Sequence, residues 1–129
     1  MSTIVTSNVS DGTLSIPTTY VTNGSAKAWV NFNGTGTIAI RDSLNVSSLT
    51  DVGTGNYGQT FTSAFANANF NAVLGAGTTS TGASDFHYAC ADYSVPRTTT
   101  AFRFYYFGAG GATFSDTKNV DTTMNGDLA

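Results

Sequence analysis

A chain of 129 residues and 13.4 kDa is long enough for one domain with a single core, and 40% hydrophobic residues exclude compositional disorder. Only 10% of residues are charged, against roughly 25% in ordinary soluble domains. A net charge of −3 and five singly placed basic residues, Lys27, Arg41, Arg97, Arg103 and Lys118, exclude the clustered cations that nucleic-acid binding needs.

Glutamate is absent, and Lys, Leu and Arg are scarce. Thr, Ser, Asn and Gly stand in their place, and these favour strands and turns over helices. Met1-Ser2-Thr3-Ile4 has neither the charged start nor the apolar core of a secretion signal, and no apolar run approaches the roughly 20 residues of a membrane span. The expectation is a protein made in a cytoplasm that stays soluble, with no membrane partner.

Residues 1–24 read as an extended N-terminal arm. Ser2 to Val9 is polar, Asp11-Gly12 makes a turn, and Pro17 closes the short strand Thr13 to Ile16. The body, residues 25–129, opens on the clearest pattern of the chain. Ala26, Ala28, Val30 and Phe32 alternate with Lys27, Trp29 and Asn31, which is strand period two. Asn33-Gly34 signals a hairpin, and Ile38 and Ile40 share a face of the return strand. A third strand is expected over Leu44 to Thr50. After the loop Asp51 to Asn56, residues Tyr57, Gln59 and Phe61 fall on one face of the next.

Ser63 to Asn69 is expected as a single helical turn, Phe70 to Leu74 as a strand, and Gly75 to Ser84 as a flexible tip. Asp85 to Tyr93 and Thr100 to Phe107 follow as strands. In the second, Phe102, Phe104 and Tyr106 point one way while Arg103, Tyr105 and Phe107 point the other, so both faces need cover. A neighbouring subunit is the expected cover for the outer one. Val120 to Met124 is expected as a last strand before a polar tail. About eight short strands with Gly- and Asn-rich turns make an all-β antiparallel sandwich or jelly roll.

The sequence offers little for catalysis. His87 is the one histidine, with Asp85 two residues away on the same strand face. Serines are too common for a Ser/His/Asp set to be read from supply, because a triad is defined by geometry and roles. Most of the Asp residues sit in turns, where backbone hydrogen bonds explain them. Asp51 to Asn56 lacks the repeated acidic positions of a calcium loop, and Gly108 to Gly111 lacks the Lys and helix of a phosphate loop. The lone Cys90 excludes an intrachain disulfide, and its apolar strand context predicts a buried free thiol. Trp29 points away from the Ala28–Val30 face, with packing favoured over a sugar-stacking platform. The sequons at Asn8, Asn23, Asn33 and Asn45 are expected by chance in so Thr- and Ser-rich a chain. No catalytic, cofactor-binding or metal residue is assigned, and the chain is read as no enzyme.

The segment Lys27 to Asp51, KAWVNFNGTGTIAIRDSLNVSSLTD, resembles a module recurrent in bacteriophage structural proteins, of the tail-fibre or virion-appendage kind. The similarity extends more loosely through Gly55-Asn56-Tyr57, Phe61 and Asn67 to Phe70. Asp11 to Ser25 resembles the lead-in of short marine-phage versions. Val52 departs from the polar residue usual after the Asp, and Asn56 to Phe61 departs from a more acidic strand start; residues from Gly75 onward lie outside the resemblance. The resemblance implies a β-rich virion module without enzymatic activity, commonly trimeric. The expected partners are therefore further copies of the chain, other virion proteins held through the arm, and a host cell-surface glycan. Attachment to such a glycan would be weak per site and multiplied by valency. A capsid decoration protein bridging major capsid subunits is the alternative, favoured by the lack of a fibre shaft.

Overall fold

Ala28, Val30 and Phe32 are each no more than 1% exposed, whereas Lys27, Trp29 and Asn31 between them are half-buried on the other side. That alternation turns residues 26–33 into a strand with one dry face. The structure, a computed structural model, describes residues 2–77, 87–108 and 113–129. Among the described residues the elements are β1 (Asn8–Ser10), β2 (Ser15–Pro17), α1 (Thr18–Gly24), β3 (Ala26–Asn33), β4 (Ala39–Leu44) and β5 (Val46–Gly53). They continue with β6 (Asn56–Phe61), β7 (Asn71–Ala76), β8 (Tyr88–Ala91), β9 (Ala101–Phe107) and β10 (Val120–Asn125). All pairing is antiparallel. β1 and β2 form a separate hairpin, and the other eight strands form two sheets, in the orders β4-β3-β10-β7 and β5-β6-β9-β8.

The two sheets share one core. β3 and β10 supply Ala28, Val30, Phe32, Val120 and Met124, and β6 and β9 supply Tyr57, Phe61, Phe102, Phe104 and Tyr106. The Phe32 ring meets Tyr57 edge-on at 5.2 Å, a favoured aromatic geometry. Phe65 and Phe70 close one end of the core, with Phe61 lying 4.9 Å and 5.5 Å from them. The expected all-β sandwich is the fold. The faces read from period two hold for β3, β6 and β9, whose inward residues are buried except Ala26 at the start of β3, which is half-buried.

The hairpin signalled by Asn33-Gly34 joins β3 to β4: Asn33 is still paired with Ala39, and residues 34–38 form the connection. Gly34 is required there, since a Cβ would lie 2.6 Å from the Tyr57 hydroxyl. The strand expected over Leu44 to Thr50 is divided. Asn45 takes φ 55°, a left-handed value that Asn tolerates, and there the chain leaves β4 in one sheet and enters β5 in the other. Its side chain bonds both backbone groups of Ser63, at 2.6 Å and 3.1 Å.

The helical turn expected over Ser63 to Asn69 does not form. Ala66 N donates to Asp127 O at 2.8 Å and Ala129 N to Ala64 O at 2.9 Å, so the C-terminal tail supplies the backbone partners that a helix would have used. The last strand expected over Val120 to Met124 is β10, and it sits between β3 and β7.

The arm is not simply extended. Asp11 Oδ1 accepts from the Thr13 and Leu14 amides, fixing the β1–β2 turn in the manner of an Asx turn. Pro17, at φ −59°, then leads into the seven-residue α1, whose end is tied to the body by Asn125 Nδ2 donating to Gly24 O at 2.9 Å. No residue of β1, β2 or α1 is buried.

Candidate functional site

The outward residues of β5, β6, β9 and β8 line up by register. Ser48 lies opposite Thr60 and then Ala101; Thr50 lies opposite Gly58 and then Arg103; Asn56 lies opposite Tyr105 and then Cys90. Because Gly58 has no side chain in the middle row, the sheet surface sinks there into a groove of about 510 Å³. Thr50, Asp51, Thr60, Ala101 and Arg103 are among its walls.

Arg103 is held from behind by Asp92, with Nε 3.9 Å from Oδ2. Asp92 is buried and accepts from the Ser94 amide at 2.9 Å. Burial pushes its carboxyl upward, but hydrogen bonds from Ser94 and Tyr105 and the Arg103 charge outweigh that and hold it below the ordinary value. Among the described residues the Arg103 Nε has no hydrogen-bond partner.

Beside the groove the same face turns aromatic. Tyr105, Phe107 and Phe114 form a cluster with centroids 4.9 Å to 6.2 Å apart, and Tyr88 lies opposite Phe107 in the β8–β9 register. The outer face of β9 was expected to take its cover from a neighbouring subunit. Phe114 of the same chain supplies part of that cover, held in place by its bridge to Phe107. Tyr105 and Phe107 are accordingly half-buried, whereas Phe114 is 45% exposed and Tyr88 58%.

His87 Nε2 lies 3.2 Å from Ser115 Oγ. Among the described residues its Nδ1 has no hydrogen-bond partner; Asp85 lies outside the described residues. Cys90, expected to be buried, is exposed. β8 is the edge strand of its sheet, and its burial pattern turns Tyr88 and Cys90 outward with Ala89 and Ala91 against the core. Partial burial of the sulfur and the Asp92 charge push the thiol upward, so it carries little thiolate at neutral pH.

Trp29 is half-buried on the outer face of the other sheet, with Leu44 and Thr123 opposite it in register. Asp51 Oδ1 accepts from the Gly53 amide at 3.1 Å, a turn contact. Among the described residues no group of three or more His, Cys, Asp or Glu side chains is placed to hold a metal. Of Gly75 to Ser84, residues 78–84 lie outside the described residues, as do residues 109–111 of Gly108 to Gly111. Gly58 and Phe114 were not singled out from sequence. The register makes Gly58 a floor, and a long-range bridge brings Phe114 to β9, so neither role has a local signal. Comparison with protein-family models, curated proteins and solved structures finds no match to the chain.

Proposed function

We propose that the chain is a structural module of a bacteriophage virion, a small fibre or appendage component. It assembles with further copies of itself, as a trimer, joins other virion proteins through its arm, and faces a host cell-surface glycan. The observation that carries this reading is the arm. Ile4 and Val5 are 90% and 93% exposed, Leu14 and Tyr20 are 73% and 72% exposed, and no residue of β1, β2 or α1 is buried. Apolar display on that scale is unfavourable for a free monomer and is relieved when a neighbour covers it. A surface with few charges does little to oppose such association.

The segment that resembles phage modules supports the same reading. Lys27 to Asp51 spans most of β3, β4 and most of β5, so it contributes strands to both sheets and the corner between them. Antibody raised against the chain should label purified particles of the phage that encodes it. A few copies on the tail are the expected result. Hundreds of copies over the head would favour capsid decoration, and unlabelled particles would overturn the virion reading.

A further inference from the structure

We propose that Asn23, at the joint between arm and body, is a self-modification site that becomes Asp or isoaspartate with water as the co-reactant. The Gly24 amide nitrogen attacks the Asn23 side-chain carbonyl carbon and loses its proton. The new N–Cγ bond closes a succinimide ring as the Cγ–Nδ2 bond breaks and ammonia leaves. Water then opens the ring at either carbonyl, giving Asp or isoaspartate. The attack is favoured where glycine follows the asparagine, because glycine leaves the backbone free to turn and has no side chain to obstruct the approach. The chain has three such pairs, Asn23-Gly24, Asn33-Gly34 and Asn125-Gly126. The fold separates them.

Asn33 is locked on both sides of the reaction. Its Nδ2 donates to Thr35 O and its Oδ1 accepts from the Thr35 hydroxyl, each at 2.9 Å. The buried Gly34 spends its amide, the required nucleophile, on Thr117 O at 3.0 Å. Asn125 is held by its Nδ2 donating to Gly24 O at 2.9 Å. Gly126 beside it packs so closely that a Cβ would lie 3.0 Å from Phe70 and 3.2 Å from Phe65, so the backbone cannot turn without disturbing the core. Asn23 has neither lock. It and Gly24 are exposed, its Oδ1 meets only the Thr22 hydroxyl at 3.5 Å among the described residues, and a Cβ on Gly24 would meet nothing within 4 Å. The last turn of α1 must open for the attack. That helix has seven residues, buries none and lacks a side-chain cap. Its end is held by Ser25 N on Val21 O and by Lys27 Nζ on the Thr22 and Ser25 carbonyls, all exposed. Such an end frays at little cost. Conversion makes the net charge one unit more negative than −3, at the helix end that disfavours an anion. Isoaspartate also lengthens the backbone beside the Gly24 carbonyl that Asn125 holds. The joint therefore loosens as the chain ages.

The test holds the full chain in mildly alkaline buffer and digests timed samples with trypsin. Residues 1–27, 28–41 and 119–129 are then separate peptides with one Asn-Gly pair each. Mass spectrometry follows the amide-to-acid conversion in each, and fragmentation places it at Asn23 rather than Asn8. In the native chain residues 1–27 should convert roughly tenfold or more faster than the other two peptides. In urea the three rates should converge, because only the shared Asn-Gly chemistry remains. Gly24→Ala fits the fold without contact, and should stop most conversion at Asn23 while leaving the other two peptides unchanged. Equal native rates, a lead by Asn33 or Asn125, or Gly24→Ala converting like the parent chain would each overturn the proposal. So would a native Asn23 that stays intact while the unfolded chain converts. The acidic form, separated by anion exchange, should lose its arm to dilute protease faster than the unconverted chain. Equal release would overturn the loosening of the joint.

Discussion

The hydroxyl of Tyr57 donates to Asp116 Oδ1 at 2.9 Å, and the same proton is shared with the Gly34 carbonyl at 2.8 Å. The same Asp116 oxygen accepts the Gly55 amide at 2.7 Å. The buried phenol therefore fastens the turn after β3 to the segment leading to β10, and Asp116 ties that segment to the turn before β6. Tyr57→Phe keeps the ring against Phe32 but strands these acceptors. It should cost about 1–3 kcal/mol, read as a lower urea midpoint with an unchanged slope. Gly34→Ala should cost more, because its Cβ would lie 2.8 Å from the fixed Thr117 carbonyl.

The same tyrosines set the alkaline limit. Burial raises Tyr57 and Tyr106 well above their ordinary value of 10.0, and nearby carboxylates add to the shift. A raised folded pKa means that the protonated form is favoured by folding, so stability is complete below the unfolded value and lost above it. Thermal midpoints should hold through neutral pH and fall as pH climbs past 10. Tyr57→Phe should flatten that fall. An alkaline limb identical in the variant would show that Tyr57 is not responsible.

Across the core, Thr122 Oγ1 donates to Gln59 Oε1 at 2.8 Å, and both side chains are buried. Removing one partner leaves the other dry and unsatisfied; removing both does not. Gln59→Leu and Thr122→Val should each destabilise by about 1–3 kcal/mol, and the double variant should cost far less than their sum. Additive losses in chemical denaturation would mean that the hydrogen bond carries no coupling.

These examples mark the boundary of what the sequence makes legible. The faces of β3, β6 and β9 follow from period two, because alternation is a local property of the chain. The corner at Asn45 has no such mark: residues on both sides of it are extended, and only pairing with different sheets divides them. The tail replaces the expected turn over Ser63 to Asn69 by pairing from more than sixty positions away. α1 follows Pro17 in a stretch poor in helix formers, so composition argued against it. In the candidate site, the aromatic alternation of β9 was legible, but Gly58 becomes a floor and Phe114 a cover only through long-range contacts.

His87→Ala and Cys90→Ser should leave folding and assembly intact. His87 Nδ1 has no hydrogen-bond partner among the described residues, and Cys90 is an exposed single thiol. A disulfide reagent should reach Cys90 in the native protein, slowly at neutral pH because its pKa is raised by partial burial and by Asp92. Loss of assembly in either variant with an unchanged circular dichroism spectrum would assign that residue a role outside this account.

Assembly through the outer aromatic face should respond to charge placed at its exposed end. Phe114 is 45% exposed and packs 4.9 Å from both Tyr105 and Phe107. Phe114→Asp should weaken self-association without unfolding the sandwich, whose core does not include it. Tyr105→Asp acts at the same face but sets a second carboxylate near Asp92, so Phe114 is the cleaner position. Unchanged association in Phe114→Asp would move the interface away from this cluster and leave the arm as its remaining site.

Sedimentation equilibrium of the full chain at micromolar concentration is the most direct test of the central claim that this is an assembly module. The exposed apolar arm and the partly covered aromatic face predict a discrete species well above 13.4 kDa, with a trimer as the expected stoichiometry. A single species at 13.4 kDa that persists as concentration rises would contradict it.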